Sequence, residues 1–179
     1  MHGVIFSELR RYVETRVDPS AWKKLLEEAQ LPNRIYLATQ VYPDAEAGAI
    51  VGAASRITGQ PVPALLEDFG EFIAPSLLRI YRALIPPDWK TLDVIENAER
   101  TIHSVVRVRQ PGASPPELRA TRPSRNEVIL SYSSARKMCG IAKGLARGIA
   151  RELGERVTVR ESQCMLEGAP TCEISIQRL

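Results

Sequence analysis

The sequence lacks long hydrophobic runs, and its cysteines and histidines are few. No apolar stretch approaches the about 20 residues that a membrane-spanning helix requires, so we expect no such helix. The first residues interleave charges with apolar side chains and contain no apolar signal-peptide core. We therefore expect a cytoplasmic protein, in which the three cysteines are thiols or metal ligands rather than disulfides.

A strong excess of one charge is also missing. The 24 basic and 21 acidic residues give a net charge of +3, whereas a nucleic-acid-binding protein of this size usually has a denser basic patch. The one basic concentration comprises Lys137, Lys143, Arg147 and Arg151, and we interpret it as a solvated helix face. The sequence has no evident nucleophile–base pair or catalytic carboxylate dyad, so we do not expect an enzyme.

Apolar residues spaced three and four apart predict five helices in the first two thirds of the chain. The first carries Ile5 and Leu9, and the second begins after Asp18-Pro19. The third follows Pro43, and the fourth carries apolar residues from Leu65 to Leu84. The fifth runs from about Leu92 to about Val106.

The pattern then changes to the alternation typical of strands. The predicted strands and the sixth helix are, in order, Glu117–Thr121, Glu127–Tyr132, the helix Met138 to Leu153, Arg156–Ser162 and Glu173–Gln177. We expect a turn around Arg122-Pro123-Ser124 and a hairpin between the last two strands. This succession predicts an α+β fold, with a helical N-terminal part packed on a C-terminal antiparallel sheet that has its own long helix. Gly140, Gly144 and Gly148 predict close packing of that helix on the sheet.

His103 is one of only two histidines and lies at the edge of the apolar stripe of the fifth helix. A buried imidazole must either be satisfied by hydrogen bonds or bind something. From spacing alone, a satisfied core histidine and a metal ligand both remain open. Glu99 lies one turn earlier and is able to orient the ring, although we expect it to be exposed.

Tyr132, Ser134 and Arg136 alternate at the end of a predicted strand, so an extended chain would place them on one side. A phenol, a hydroxyl and a guanidinium together suit a dicarboxylate. A polar outer face of an edge strand would give the same pattern.

These features together resemble the haem-nitric oxide/oxygen binding (H-NOX) family, in its bacterial stand-alone form. The resemblance extends over nearly the whole chain and includes MHGVIF, VGAASRITG, His103, Ser114-Pro115-Pro116 and the Tyr-x-Ser-x-Arg triplet. It implies that His103 is the axial iron ligand of haem b, that Tyr132, Ser134 and Arg136 hold the propionates, and that Pro116 distorts the haem. One domain over residues 1–179 is expected, with a distal helical subdomain over about 1–60 and a proximal, haem-binding subdomain over about 61–179.

The resemblance also implies which gas is bound. A distal tyrosine accompanies stable O₂ binding in some members, and the matching position here is Ile141. The other positions that match the distal pocket are Ile5, Leu9, Leu77 and Leu145. All are apolar, so we expect binding of NO and CO without stable O₂ binding. His2 stands where tyrosine or lysine is more usual. A place near the distal side remains open, and we expect His2 at the surface or packed at the N-terminus.

Cys139, Cys164 and Cys172 supply three of the four ligands of a tetrahedral zinc site. A subset of proteobacterial H-NOX proteins has such a site with a histidine as the fourth ligand, and the matching residue here is Glu161. Structural zinc, free or redox-active thiols and a disulfide remain open.

The resemblance implies a monomeric sensor that acts on a separate protein: a histidine kinase, a cyclic-di-GMP enzyme or a chemotaxis receptor. Binding of NO would release His103, and the helical part would rotate relative to the sheet. Neither nucleic acid nor membrane is expected as a partner. Two alternatives are a redox sensor based on zinc and the three cysteines, and a haem-free small-molecule-binding module of the related V4R type.

Overall fold

The helices and strands follow the predicted order in a computed structural model, which describes residues 1–179. Its helices are α1 (Gly3–Arg16), α2 (Ala21–Glu28), α3 (Asp44–Thr58), α4 (Val62–Ile80), α5 (Thr91–Ala98), α6 (Ser104–Arg109) and α7 (Cys139–Glu152). A π-helical turn, Glu99–His103, joins α5 to α6, so that the fifth predicted helix is continuous. No helix has both the length and the apolar character needed to cross a membrane.

The strands form one antiparallel sheet in the order β1-β2-β4-β3. They are β1 (Glu117–Ser124), β2 (Glu127–Ser133), β3 (Val157–Gln163) and β4 (Cys172–Arg178). The predicted pairing of the last two strands is confirmed. The predicted turn at Arg122-Pro123-Ser124 was wrong, because β1 continues to Ser124 and the turn lies at Arg125-Asn126. Pro123 is tolerated because β1 is an edge strand with an irregular register between Thr121 and Ser124.

Two hydrophobic cores lie side by side. The first joins α1 to α4 around fully buried Phe6, Ile50 and Ile73. The second lies between the sheet and the helices α5 and α7, around Val128 and Ile174. Helix α5 contacts β1 and β2, and α7 contacts β3 and β4. The fold is therefore the predicted α+β arrangement of a helical part on a sheet with its own long helix.

The glycine stripe of α7 faces α4 rather than the sheet, which corrects the sequence prediction. A Cβ atom on Gly144 would lie 2.0 Å from the carbonyl oxygen of Glu67, and one on Gly148 would lie 2.6 Å from the Cβ atom of Ala74. The approach is reciprocal, since a Cβ atom on Gly70 of α4 would lie 2.5 Å from the carbonyl oxygen of Ile141. Side chains at these positions would force the two helices apart.

The basic stripe of α7 is an interhelical ion-pair ladder, not the solvated face that its spacing suggested. Lys143 binds Glu67 at 2.8 Å, and Arg147 lies between Glu67 at 2.5 Å and Glu71 at 2.6 Å. Arg151 continues the ladder to Glu71. The ladder and the glycine contacts together fix α7 against α4.

Candidate functional site

A cavity lies where the helical part meets the sheet part. Thirty residues line it, 24 of them hydrophobic. The helices that contribute are α1, α4, the continuous helix α5–α6, and α7. The strands β1 and β2 and the segment that precedes β1 also contribute. A largely apolar cavity with a few polar groups is the usual form of a small-molecule or cofactor site.

His103 is in the wall of this cavity, and its side chain is 18% exposed. Its Nδ1 atom lies 3.1 Å from Oε2 of Glu99. Burial lowers the pKa of His103, against the opposing effect of Glu99, so the ring is neutral at pH 7. Burial opposes ionisation of Glu99, but hydrogen bonds from Arg107, His103 and Leu118 lower its pKa below the usual value.

These charge states determine the tautomer of His103. An ionised carboxylate only accepts hydrogen bonds, so Nδ1 must carry the proton of the neutral ring. The lone pair of Nε2 is then the one available to a metal. This is the arrangement that metal-ligating histidines usually have, with the second ring nitrogen donating to a carboxylate.

Glu99 connects His103 to the chain before and within β1, although the sequence suggested an exposed side chain. Its Oε1 atom accepts a hydrogen bond from Nη1 of Arg107 at 2.6 Å, and its Oε2 atom accepts one from the backbone of Leu118 at 3.1 Å. Nη2 of Arg107 donates in turn to the carbonyl oxygen of Pro116 at 3.4 Å. Pro116 itself lines the cavity.

The triplet Tyr132, Ser134 and Arg136 does not form one continuous strand face. Strand β2 ends at Ser133, and a turn follows in which Oγ of Ser134 accepts the backbone N–H of Arg136 at 3.3 Å. Tyr132 is buried in the cavity wall, where burial raises the pKa of its hydroxyl. Arg136 also lines the cavity, whereas Ser134 does not.

The Arg136 guanidinium is held from two sides. Nη1 donates to Oδ2 of Asp44 at 2.9 Å, and Nη2 donates to the carbonyl oxygen of Ser114 at 2.5 Å. The other carboxylate oxygen of Asp44 lies 2.7 Å from the amino group of Met1. The side chain of Arg136 is only 10% exposed.

Four of the five residues that match the distal pocket line the cavity, namely Ile5, Leu77, Ile141 and Leu145. Leu9 does not: it is buried in the core of the helical part. The cavity wall also includes Tyr81, which the sequence did not single out, and His2, for which a place near the distal side was left open.

His2 caps α1 and also lines the cavity. Its Nδ1 atom accepts the backbone N–H of Val4 at 3.1 Å and so caps α1. Burial and the charged N-terminus lower its pKa, so the ring is neutral and its proton is on Nε2. In the sequence, this residue is marked only by its type, a histidine where tyrosine or lysine is more usual.

The side chains of the cavity suit haem. A neutral imidazole with a free Nε2 supplies an axial ligand. The apolar walls suit the porphyrin, and a buried phenol and a guanidinium suit its carboxylates. Tyr132 and Arg136 are both in the cavity wall with His103.

A second polar cluster lies behind the cavity wall, where α7, β3 and β4 begin or end. Sγ of Cys164 is 3.8 Å from Sγ of Cys139 and 3.9 Å from Sγ of Cys172. A tetrahedral zinc ion with Zn–S bonds of about 2.3 Å would separate its sulfur ligands by about 3.8 Å. The spacing of the thiols therefore fits zinc.

Glu161 completes the cluster, since its carboxylate and the three Sγ atoms lie within 4.8 Å of one another. Its Oε1 atom is buried without a hydrogen-bond partner. Its Oε2 atom accepts a hydrogen bond from Nζ of Lys143 at 2.9 Å. The free oxygen is available as a fourth ligand.

Comparison with known proteins agrees with this geometry. A family described as Haem-NO-binding matches residues 2–161. Soluble guanylate cyclase 89Da of Drosophila melanogaster is 23% identical over 98% of this chain, and the match spans 27% of the length of that cyclase. This chain thus corresponds to about a quarter of that relative.

Solved structures with the same fold are H-NOX proteins. One from Shewanella oneidensis in the Fe(II)NO ligation state has a TM-score of 0.93 and 25% identity, covering 100% of this chain and 99% of that chain. The unliganded Fe(II) protein from K. algicida has a TM-score of 0.86 at 18% identity, over 100% of this chain and 97% of that one.

Proposed function

The chain belongs to the haem-NO-binding, or H-NOX, family of haem-based gas sensors, and from this membership we propose that it senses nitric oxide through a haem b whose iron is bound by His103. We propose a binding and signalling role rather than catalysis. The observation that carries this proposal is the position of His103 in the cavity wall with its Nδ1 atom 3.1 Å from the Glu99 carboxylate, which leaves Nε2 for the iron.

Tyr132, Ser134 and Arg136 are proposed to hold the haem propionates. The positions of Tyr132 and Arg136 in the cavity wall support this role, and Ser134 contributes by fixing the turn that carries Arg136. The haem iron would supply the open coordination position at which a gas binds. Pro116, also in the wall, is proposed to press on the ring.

We propose that NO and CO bind and that O₂ does not bind stably. Bound O₂ needs a hydrogen-bond donor more than NO or CO does, and Ile5, Leu77, Ile141 and Leu145 offer none. The donors in the wall include His2 and Tyr81, which are assigned neither to the iron nor to the propionates. If exposure of the reduced protein to air gave a lasting O₂ complex, O₂ exclusion would be wrong, and His2→Ala and Tyr81→Phe would identify the donor.

The chain's own contacts support a route for the signal. Release of His103 would leave Glu99 attached to Leu118 and to Arg107, which holds Pro116. We propose that the distal subdomain, over about residues 1–60, then moves relative to the remaining residues. The signal would pass to a histidine kinase, a cyclic-di-GMP enzyme or a chemotaxis receptor.

We propose that zinc binds to Cys139, Cys164, Cys172 and Glu161. The spacing of the sulfurs and the unpartnered Oε1 of Glu161 support this. Metal analysis of the purified protein and of Cys172→Ser would test it: one zinc per chain is expected, and it should be lost from the variant. Absence of zinc from a fully reduced preparation would contradict the proposal.

An absorption spectrum of the reduced protein under argon, NO, CO and air tests the haem proposal directly. We expect a Soret band that shifts with NO and CO. A protein without a visible spectrum even after incubation with haemin would favour the V4R-type module. A protein without haem that loses zinc on peroxide treatment would favour the redox sensor.

A further inference from the structure

The Glu99 carboxylate has three hydrogen-bond partners, and they come from different parts of the proximal wall. It accepts from His103 within its own helix, from Arg107 on α6, and from the backbone of Leu118 on β1. Its side chain is 33% exposed, and that of His103 is 18% exposed. The carboxylate is therefore held in place by contacts on both of its oxygens.

The backbone at this point is also unusual. The π-helical turn begins at Glu99 and ends at His103. Single π turns within α-helices occur frequently at functional sites. Here the irregular turn spans the two residues that form the carboxylate–histidine pair.

We propose that Glu99 is a positioning residue that sets the strength of the iron–His103 bond and couples that bond to the segment Pro116–Leu118. This inference rests on the proposed axial role of His103. A carboxylate that accepts the Nδ1 proton makes the imidazole a more basic ligand. The bond from Nε2 to iron is then stronger than in a protein whose histidine lacks an anionic partner.

Arg107 moderates the effect. Its Nη1 lies 2.6 Å from Oε1 of Glu99, so it draws negative charge away from the oxygen that faces His103. Removing Arg107 should make the carboxylate a better acceptor for the Nδ1 proton. Removing the charge of Glu99 should have the opposite effect.

The proposal is tested by these two substitutions, which should change the strength of the iron–His103 bond in opposite directions. Resonance Raman spectra of the reduced haem protein report the frequency of the iron–histidine stretch. Glu99→Gln should shift this frequency down, and Arg107→Gln should shift it up. Glu96→Gln is the matched control on α5, since Glu96 pairs with Arg122 at 2.8 Å, and it should cause no shift.

Two further readouts separate the electronic effect from a structural one. The reduction potential should rise in Glu99→Gln, because ferric iron loses more from the missing negative charge than ferrous iron does. Transfer of haem from Glu99→Gln to apomyoglobin should be about tenfold faster than transfer from the wild type, the effect typical of losing such a partner. Thermal unfolding of each variant checks that the fold is retained. If Glu99→Gln does not bind haem, Glu99→Asp is measured in its place.

The outcomes distinguish this inference from the proposal on which it rests. If His103→Ala retained the iron–histidine stretch of the wild type, the axial role of His103 would be wrong. If His103 is the axial ligand but Glu99 does not set the strength of its bond, the stretch disappears in His103→Ala. In that case Glu99→Gln and Arg107→Gln leave the frequency of the stretch unchanged or move it in the same direction. Either of those results overturns the role of Glu99.

Discussion

Nη1 of Arg136 lies 2.9 Å from Oδ2 of Asp44, and this ion pair joins the turn after β2 to the start of α3. The other oxygen of Asp44 binds the amino group of Met1 at 2.7 Å. The arginine proposed to bind a propionate is therefore attached to the helical part of the molecule through Asp44, which in turn holds the N-terminus. A change at the propionate end of the cavity would be transmitted to α1 and α3.

Asp44→Asn should weaken this connection. Because Asp44 is 42% exposed, we expect a loss of about 1 kcal/mol in the free energy of unfolding. Arg136 remains held by Ser114 and loses its anionic competitor, so haem should be released more slowly. Urea unfolding and transfer of haem to apomyoglobin measure the two effects. The control is Glu46→Gln on the same helix, which changes contacts with Arg34 and Tyr36 but none with Arg136. Its haem release should be unchanged, and equal effects of the two variants on haem release would contradict the connection.

The ladder between α4 and α7 should make stability depend on pH. Burial opposes ionisation of Glu67, but Lys143 and Arg147 lower its pKa below the usual value. A carboxyl group with a depressed folded-state pKa stabilises the fold above its unfolded pKa of about 4.3, and the contribution is lost as pH falls through the folded value. Glu67→Gln should cost about 1 kcal/mol at pH 7. The difference from wild type in urea unfolding should shrink below about pH 4.

An exposed pair on one helix provides the comparison for this prediction. Glu14→Gln removes the pair with Arg10, whose side chain is 61% exposed, and should cost less than about 0.5 kcal/mol at pH 7. A difference between wild type and Glu67→Gln that stayed constant down to pH 3 would rule out the assigned role of the ladder.

Gly144→Ala should separate α4 from α7. The new Cβ atom would lie 2.0 Å from the backbone oxygen of Glu67, which cannot move without its helix. We expect a loss of about 1–3 kcal/mol in the free energy of unfolding. Gly48→Ala is the matched control: nothing lies within 4 Å of its Cβ position, and it should be stabilising by about 1 kcal/mol. Similar effects of both substitutions in thermal and urea unfolding would contradict the close packing.

Glu161→His should bind zinc more tightly than the wild type. Imidazole is a softer ligand than carboxylate and is well suited to zinc, and its introduction also frees the site from the pair with Lys143. Competition with a chromophoric chelator measures the zinc Kd. Glu173→His, an exposed change on β4, should leave the Kd unchanged. An affinity for zinc that is the same in Glu161→His as in the wild type would indicate that residue 161 does not bind the metal.

Periodicity was sufficient to predict the helices and the sheet, because burial of apolar stripes determines them. It did not predict which side chains make contacts between separate helices and strands. The contacts of Glu99 with Leu118 and of Arg136 with Asp44 join residues 19 and 92 positions apart, and no local spacing encodes them. Lys143 and Arg147 looked solvated because their acidic partners are on α4, about 80 residues earlier in the chain.

The placement of Pro123 and Leu9 illustrates two other limits. A proline usually ends a strand, and only the edge position of β1 allows it to remain within one. Leu9 belongs to the same apolar stripe as Ile5, yet only Ile5 reaches the cavity. Which part of a stripe faces a cavity depends on how neighbouring helices cross, and a single sequence does not contain that information.

The absorption and resonance Raman spectra of the reduced protein, compared with those of His103→Ala before and after NO, test the central claim most directly. The account predicts that wild type has a five-coordinate ferrous haem with an iron–histidine stretch that NO abolishes. His103→Ala should lack the stretch and recover a five-coordinate haem only when imidazole is added. A wild type that binds no haem, or a variant with an unchanged iron–histidine stretch, would contradict it.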